Sequence, residues 1–132
     1  MLANEGERRG EMTIILLLLV VSLTCFGQVV LKARATFHAG QMGASDGPLP
    51  YLLSMFLDVW TIGALFAAFL AGVAWMLAIQ RTSLVYAYPF VAMSFVIVPI
   101  ASYVFLAERL GPMQIAGALI ISLGVVVSAA AK

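Results

Sequence analysis

Four stretches of about 20 residues carry no Asp, Glu, Lys or Arg, and together they fill most of this 132-residue chain. A stretch of that length, wound as a helix, crosses the roughly 30 Å of a bilayer's hydrocarbon core. A helix is also the open-chain form that satisfies every backbone polar group where no water is present. The expected fold is therefore all-α: a polytopic membrane protein with four transmembrane helices. The composition agrees, with 64% hydrophobic and 10% charged residues and a mean hydropathy of +1.09. A water-soluble domain with so little charge would expose most of its surface as apolar.

Charge and side-chain chemistry exclude several functional classes. Seven Lys and Arg against six Asp and Glu give a net charge of +1, which is no field for nucleic acid. One cysteine, Cys25, and one histidine, His38, supply neither a disulfide framework nor a multi-ligand metal site. No metal and no cofactor is expected.

The charged residues punctuate the spans. The first runs from Met12 to Leu31, after a leader with Glu5, Glu7, Arg8, Arg9 and Glu11 and before Lys32. Its apolar run is longer than a signal-peptide core and lacks a small-x-small cleavage site, so it reads as retained. The second runs from Val59 to Ile79, with Trp60 and Trp75 placed for an aromatic belt. The third covers Leu84 to Ala107. The fourth covers Pro112 to Ala131, with Pro112 in the first turn, where no backbone donor is needed. Residues 33–58 form the one long connection, whose Gly40-to-Pro50 part is loop. Residues 49–57 are too short to cross and suit an interfacial helix or an extension of the second span. The whole chain, 1–132, is one membrane domain. Four spans place Arg8, Arg9, Arg81 and Lys132 on one face and Lys32, Arg34 and Arg109 on the other. Four against three leans toward a cytoplasmic N-terminus and leaves dual topology open.

Several helix faces invite partners. In span two, Gly63, Ala67 and Ala71, and Ala64, Ala68 and Gly72, recur every four residues and permit close backbone approach. In span four, Gly117 and Gly124 fall within roughly 20° of one face at about 100° per residue, and Ser128 continues it. That stripe suits a dimer interface, and packing within the chain explains it as well. Span three carries Tyr86, Tyr88, Pro89, Ser94, Pro99, Ser102 and Tyr103. Its interior prolines each remove a backbone hydrogen bond and permit a kink, which makes Pro89 and Pro99 candidates for gating. Serine hydroxyls there can equally bond their own backbone.

The most polar stripe is in span one, where Thr24, Gln28 and Lys32 recur four apart. As structure, Gln28 is interhelical glue and Lys32 snorkels to the headgroups. As function, neutral donors line a cavity for a sugar headgroup, joined by Tyr88 and Ser94, and Lys32 meets a phosphate. Arg34 is expected to be solvated, as is Glu108 beside Arg109.

No Asp or Glu lies inside any span. Proton exchange for an organic cation relies on a buried carboxylate of raised pKa, which has no home here. No Ser-His-Asp set is assembled, and Cys25 reads as a small buried hydrophobe. The chain is not expected to be an enzyme.

Gly27, Gln28 and Lys32, Ala87-Tyr88-Pro89 with Ser94-Phe95-Val96, Glu108-Arg109-Leu110, and Gln114-x-x-Gly117 leading to Gly124 together resemble the drug/metabolite transporter superfamily. The likeness covers roughly Ile14 to Val127 and is strongest to single-repeat, EamA-like proteins and the small subunits that flip undecaprenyl-phosphate-linked aminoarabinose. It implies a flippase subunit in the bacterial inner membrane, with membrane lipids around it and a polyprenyl-phosphate glycolipid as substrate. It also implies dimerisation, with a second copy or a paralogous small subunit. The small multidrug resistance family is similar too, and its Gly117-to-Gly124 spacing marks a dimer-forming face. That family has a membrane-embedded glutamate in its first helix, where this chain has Thr24, and the long 34–57 connection departs from both groups. Two alternatives stand beside the flippase: a small exporter of solutes or cations, and a non-transporting scaffold subunit.

Overall fold

The computed structural model describes residues 2–43 and 47–130. The expected end of the last span at Ala131 and Lys132, and the centre of the long connection, lie outside the described residues. Every regular element described is helical: α1 (Leu2–Gln41), α2 (Pro48–Phe56), α3 (Val59–Ile79), α4 (Leu84–Ala92), α5 (Ser94–Leu106) and α6 (Pro112–Ala130). Three helical runs are long and apolar enough to cross a membrane, Arg8–Gln41, Val59–Ile79 and Leu84–Leu106, and Pro112–Ser128 is a shorter apolar one.

α1 does not stop at Leu31. Its 40 residues make a rod of about 60 Å, because Lys32 to Ala39 contains neither proline nor glycine and is rich in helix-forming Ala, Lys and Arg. The residues read as the start of a loop are therefore helical, His38 among them. Along the rod, the Thr13 hydroxyl donates to the Arg9 carbonyl at 2.8 Å and Thr36 to the Lys32 carbonyl at 3.0 Å, so neither is left unpaired.

Residues 49–57 are no extension of the second span. Gly47 is extended, Pro48 opens α2, and Leu57 closes it. Asp58 then caps α3, accepting from the Thr61 amide at 2.9 Å and the Thr61 hydroxyl at 3.1 Å. No residue of α2 is buried, and Leu49, Leu52, Leu53 and Phe56 are all exposed.

α3 packs mainly on α1. Its buried residues, Thr61, Ala64, Ala67, Ala71, Ala74 and Ala78, follow the three-four spacing of one helix face. Of the two small-residue stripes in the sequence, Ala64, Ala67 and Ala71 turn inward, and Gly63, Ala68 and Gly72 stay exposed. A β-carbon at Gly27 of α1 would lie 3.2 Å from the Ala64 carbonyl, so glycine there lets the two backbones touch. Deeper along the seam, Leu17, Ala78 and Ala87 are fully buried, with Leu16, Trp75, Tyr86 and Phe90 packed around them.

The third span is two helices. It breaks at Met93, whose amide bonds to the Phe90 carbonyl at 3.1 Å, three residues back. That tighter turn lies between Pro89 and Pro99, both inside their helices. The Ser94 hydroxyl donates to the Val91 carbonyl at 2.6 Å beside the break. α5 ends on Ala107, which is left-handed (φ 53°), a conformation that favours glycine. α6 starts at Pro112, and the Gln114 side chain accepts from the Gly111 amide, half of a capping box. Among the described residues, α6 packs on α4 and α5 alone.

Candidate functional site

Between α1, α3 and α4 lies a cavity of about 350 Å³, lined by Thr24, Gly27, Gln28, Trp75 and Tyr88 among others. A second, of about 440 Å³, lies between α1 and α5, the second half of the third span, and is lined by Thr24, Gln28, Ser94, Phe95, Val98 and Pro99. Thr24 and Gln28 thus face both. They do so because residues four apart share a helix face and both spaces flank that face of α1. The rest of the lining is apolar or aromatic.

Four of the five expected binding residues are therefore brought together: Thr24 and Gln28 on α1, Tyr88 on α4, Ser94 at the break. Their capacities differ. Ser94 has already donated its hydroxyl proton to Val91 and retains acceptor capacity. Tyr88 meets Trp75 edge to face, with ring centroids 5.8 Å apart, and Trp75 lines the first cavity. Gln28 and Tyr88 are exposed, which leaves the first cavity open at the side of the bundle. An amide, a hydroxyl and two aromatic rings around an apolar space can hold a neutral polar ring by hydrogen bonds and stacking.

The fifth residue, Lys32, stands one turn beyond Gln28 on α1. Its ammonium lies 3.0 Å from Glu108 Oε1, with both side chains about half exposed. Lys32 foremost, with a smaller contribution from Ser102, holds the Glu108 pKa below its ordinary value. Glu108 is paired across the bundle rather than solvated beside Arg109. Arg34 is paired too. Its guanidinium meets Asp58 bidentately, at 2.6 Å and 3.0 Å, and lies over the Phe37 ring, 4.4 Å from its centroid. His38 Nε2 approaches the same carboxylate at 3.7 Å. The Arg34 hydrogen bonds, with help from Thr61, hold Asp58 down at about 2. The sequence did carry a signal for both pairs: span counting places Lys32, Arg34, Asp58 and Glu108 at the same end of the bundle.

The gating candidates line different spaces, Pro99 the second cavity and Pro89 a third between α4 and α6, together with Gly124 and Ser128. A β-carbon at Gly117 or Gly124 would have nothing within 4 Å, so the bundle itself does not require glycine at either. Cys25 is a buried free thiol. No group of His, Cys, Asp and Glu among the described residues can hold a metal ion.

The all-helical architecture, with three runs long and apolar enough to cross a membrane, is compatible with a small multi-pass membrane protein. Comparison with known proteins makes this specific. A Pseudomonas aeruginosa protein named "probable 4-amino-4-deoxy-L-arabinose-phosphoundecaprenol flippase subunit ArnE" is 35% identical over 115 residues, 87% of this chain and 95% of its own length. A Pseudomonas fluorescens protein of the same name is 35% identical over 95 residues, 71% of this chain and 77% of its own. The chain belongs to the family of ArnE flippase subunits. No family model matches it, and no solved structure does.

Proposed function

We propose that the protein is one subunit of a flippase that carries a polyprenyl-phosphate-linked sugar, of the aminoarabinose type, across the bacterial inner membrane. The observation that carries this is the pair Thr24 and Gln28, which serves both cavities at once. A headgroup leaving one cavity for the other keeps the same hydrogen-bonding partners, while its polyprenyl tail stays in lipid. The four apolar stretches all cross, α2 lies at the headgroup plane, and the N-terminus is cytoplasmic.

The subunit works in a dimer, with a second copy or a paralogous small subunit. In the isolated chain Gln28 is exposed at membrane depth, and an amide facing hydrocarbon is costly. A partner across the cavity, seated in part on α6, removes that cost and brings the helices to eight. Asp58 and Glu108, at one end of the spans, are engaged by cations, and neither lines the two cavities where proton-coupled cation export would need a carboxylate.

The test is headgroup translocation of a fluorescent polyprenyl-phosphate sugar in reconstituted vesicles. Gln28→Leu lowers the rate about tenfold at equal protein level, the equivalent of one hydrogen bond. Lys32→Ala lowers it as well. An unchanged rate in Gln28→Leu removes the cavity assignment, and a wild-type protein that moves no such lipid, alone or with its paralogue, removes the flippase.

A further inference from the structure

Resting on the flippase proposed above, we infer that Glu108 is a built-in stand-in for the lipid phosphate, holding Lys32 while the site is empty and displaced from it when the substrate arrives. A carboxylate oxygen 3.0 Å from Lys32 Nζ makes the contact that a phosphate oxygen makes with an ammonium. Lys32 continues the Thr24 and Gln28 face by one turn, about 6 Å along the axis. A headgroup hydrogen-bonded to Gln28 therefore carries its phosphate to the place where Glu108 sits.

Two features make the pair exchangeable rather than permanent. Both side chains are about half exposed, and ion pairs in that setting are weak. Glu108 also has somewhere to remain: its amide reaches the Ser102 carbonyl at 3.4 Å, and Ser102 favours its charged form. Glu108 belongs to the turn joining α5 to α6, which begins at left-handed Ala107. Its contact with Lys32 ties that turn to α1. Loading phosphate releases the tie, so arrival of substrate at one end frees the third and fourth spans to move against the first.

The experiment is a titration of the full-length protein in nanodiscs with farnesyl phosphate, and with farnesol as its uncharged control, followed by tryptophan fluorescence, since Trp75 lines the cavity. Glu108→Gln keeps the shape of the turn and an acceptor for Ser102 but removes the competing charge. It tightens farnesyl phosphate binding by roughly two- to fivefold, the strength of an exposed ion pair, and leaves farnesol unchanged. In a Lys32→Ala background both the phosphate preference and the Glu108→Gln gain disappear. A wild-type preference for farnesyl phosphate that Glu108→Gln leaves unchanged or weakens overturns the exchange alone, as does a gain that survives Lys32→Ala. A phosphate preference that is independent of Lys32 also overturns it. No wild-type preference for farnesyl phosphate over farnesol overturns the flippase and the exchange together.

Discussion

Asp58 ties two helices together: it caps α3, and on α1 it binds Arg34 with two hydrogen bonds and lies 3.7 Å from His38. Its carboxyl titrates at about 2 instead of the ordinary 3.8. A carboxylate depressed in the folded state contributes stability that is fully present above the ordinary value and is lost as pH falls through the folded one. Thermal stability of the purified protein is therefore flat, as far as this group goes, from neutral pH to about pH 4 and declines toward pH 2. Asp58→Asn starts lower and lacks that acid slope; a wild-type slope that persists in the variant assigns it to another group. Gly27 sets the other tight contact. A leucine there overpacks the 3.2 Å approach to Ala64 and destabilises the fold by about 1–3 kcal/mol, measurable as a lower unfolding midpoint in detergent.

At the scale of elements, the third span is the one built from two helices, and its broken backbone concentrates bending near the cavities. Pro99→Ala restores a backbone donor inside α5. The variant raises thermal stability and slows headgroup translocation several-fold, and a rate equal to wild type shows that Pro99 is not part of the gate. The helix ends at Val59, Ile79, Leu84 and Pro112 were legible because Asp58, Arg81 and Glu108 stand close to them, whereas α1 runs past Lys32. The stripe Thr24, Gln28, Lys32 was legible through helical spacing alone. The break at Met93 was not, because it falls four residues after one proline and six before the other, where no local rule marks a stop. The continuation of α1 through His38 was hidden by polarity, since Arg34 and His38 resemble loop residues until Asp58 supplies their partner. The Lys32–Glu108 pair depends on residues 76 positions apart and exists only once the helices have packed.

At the scale of the whole molecule, among the described residues α6 packs on α4 and α5, and a β-carbon at Gly117 would meet nothing within 4 Å. Gly117→Leu therefore leaves the subunit folded and removes the dimer, seen as a shift to monomer in native mass spectra of the detergent-solubilised protein. A dimer that survives the substitution places the interface on another face. The close approach of Gly27 to Ala64 also has a mechanical meaning for the rod that crosses it. Gly27 is 25 residues from Leu2 and 14 from Gln41, which gives arms of about 37 Å and 21 Å. A rotation of α1 about this contact would carry the tip of the long arm about 1.8 times as far as the tip of the short one, the arm on which Arg34 binds Asp58.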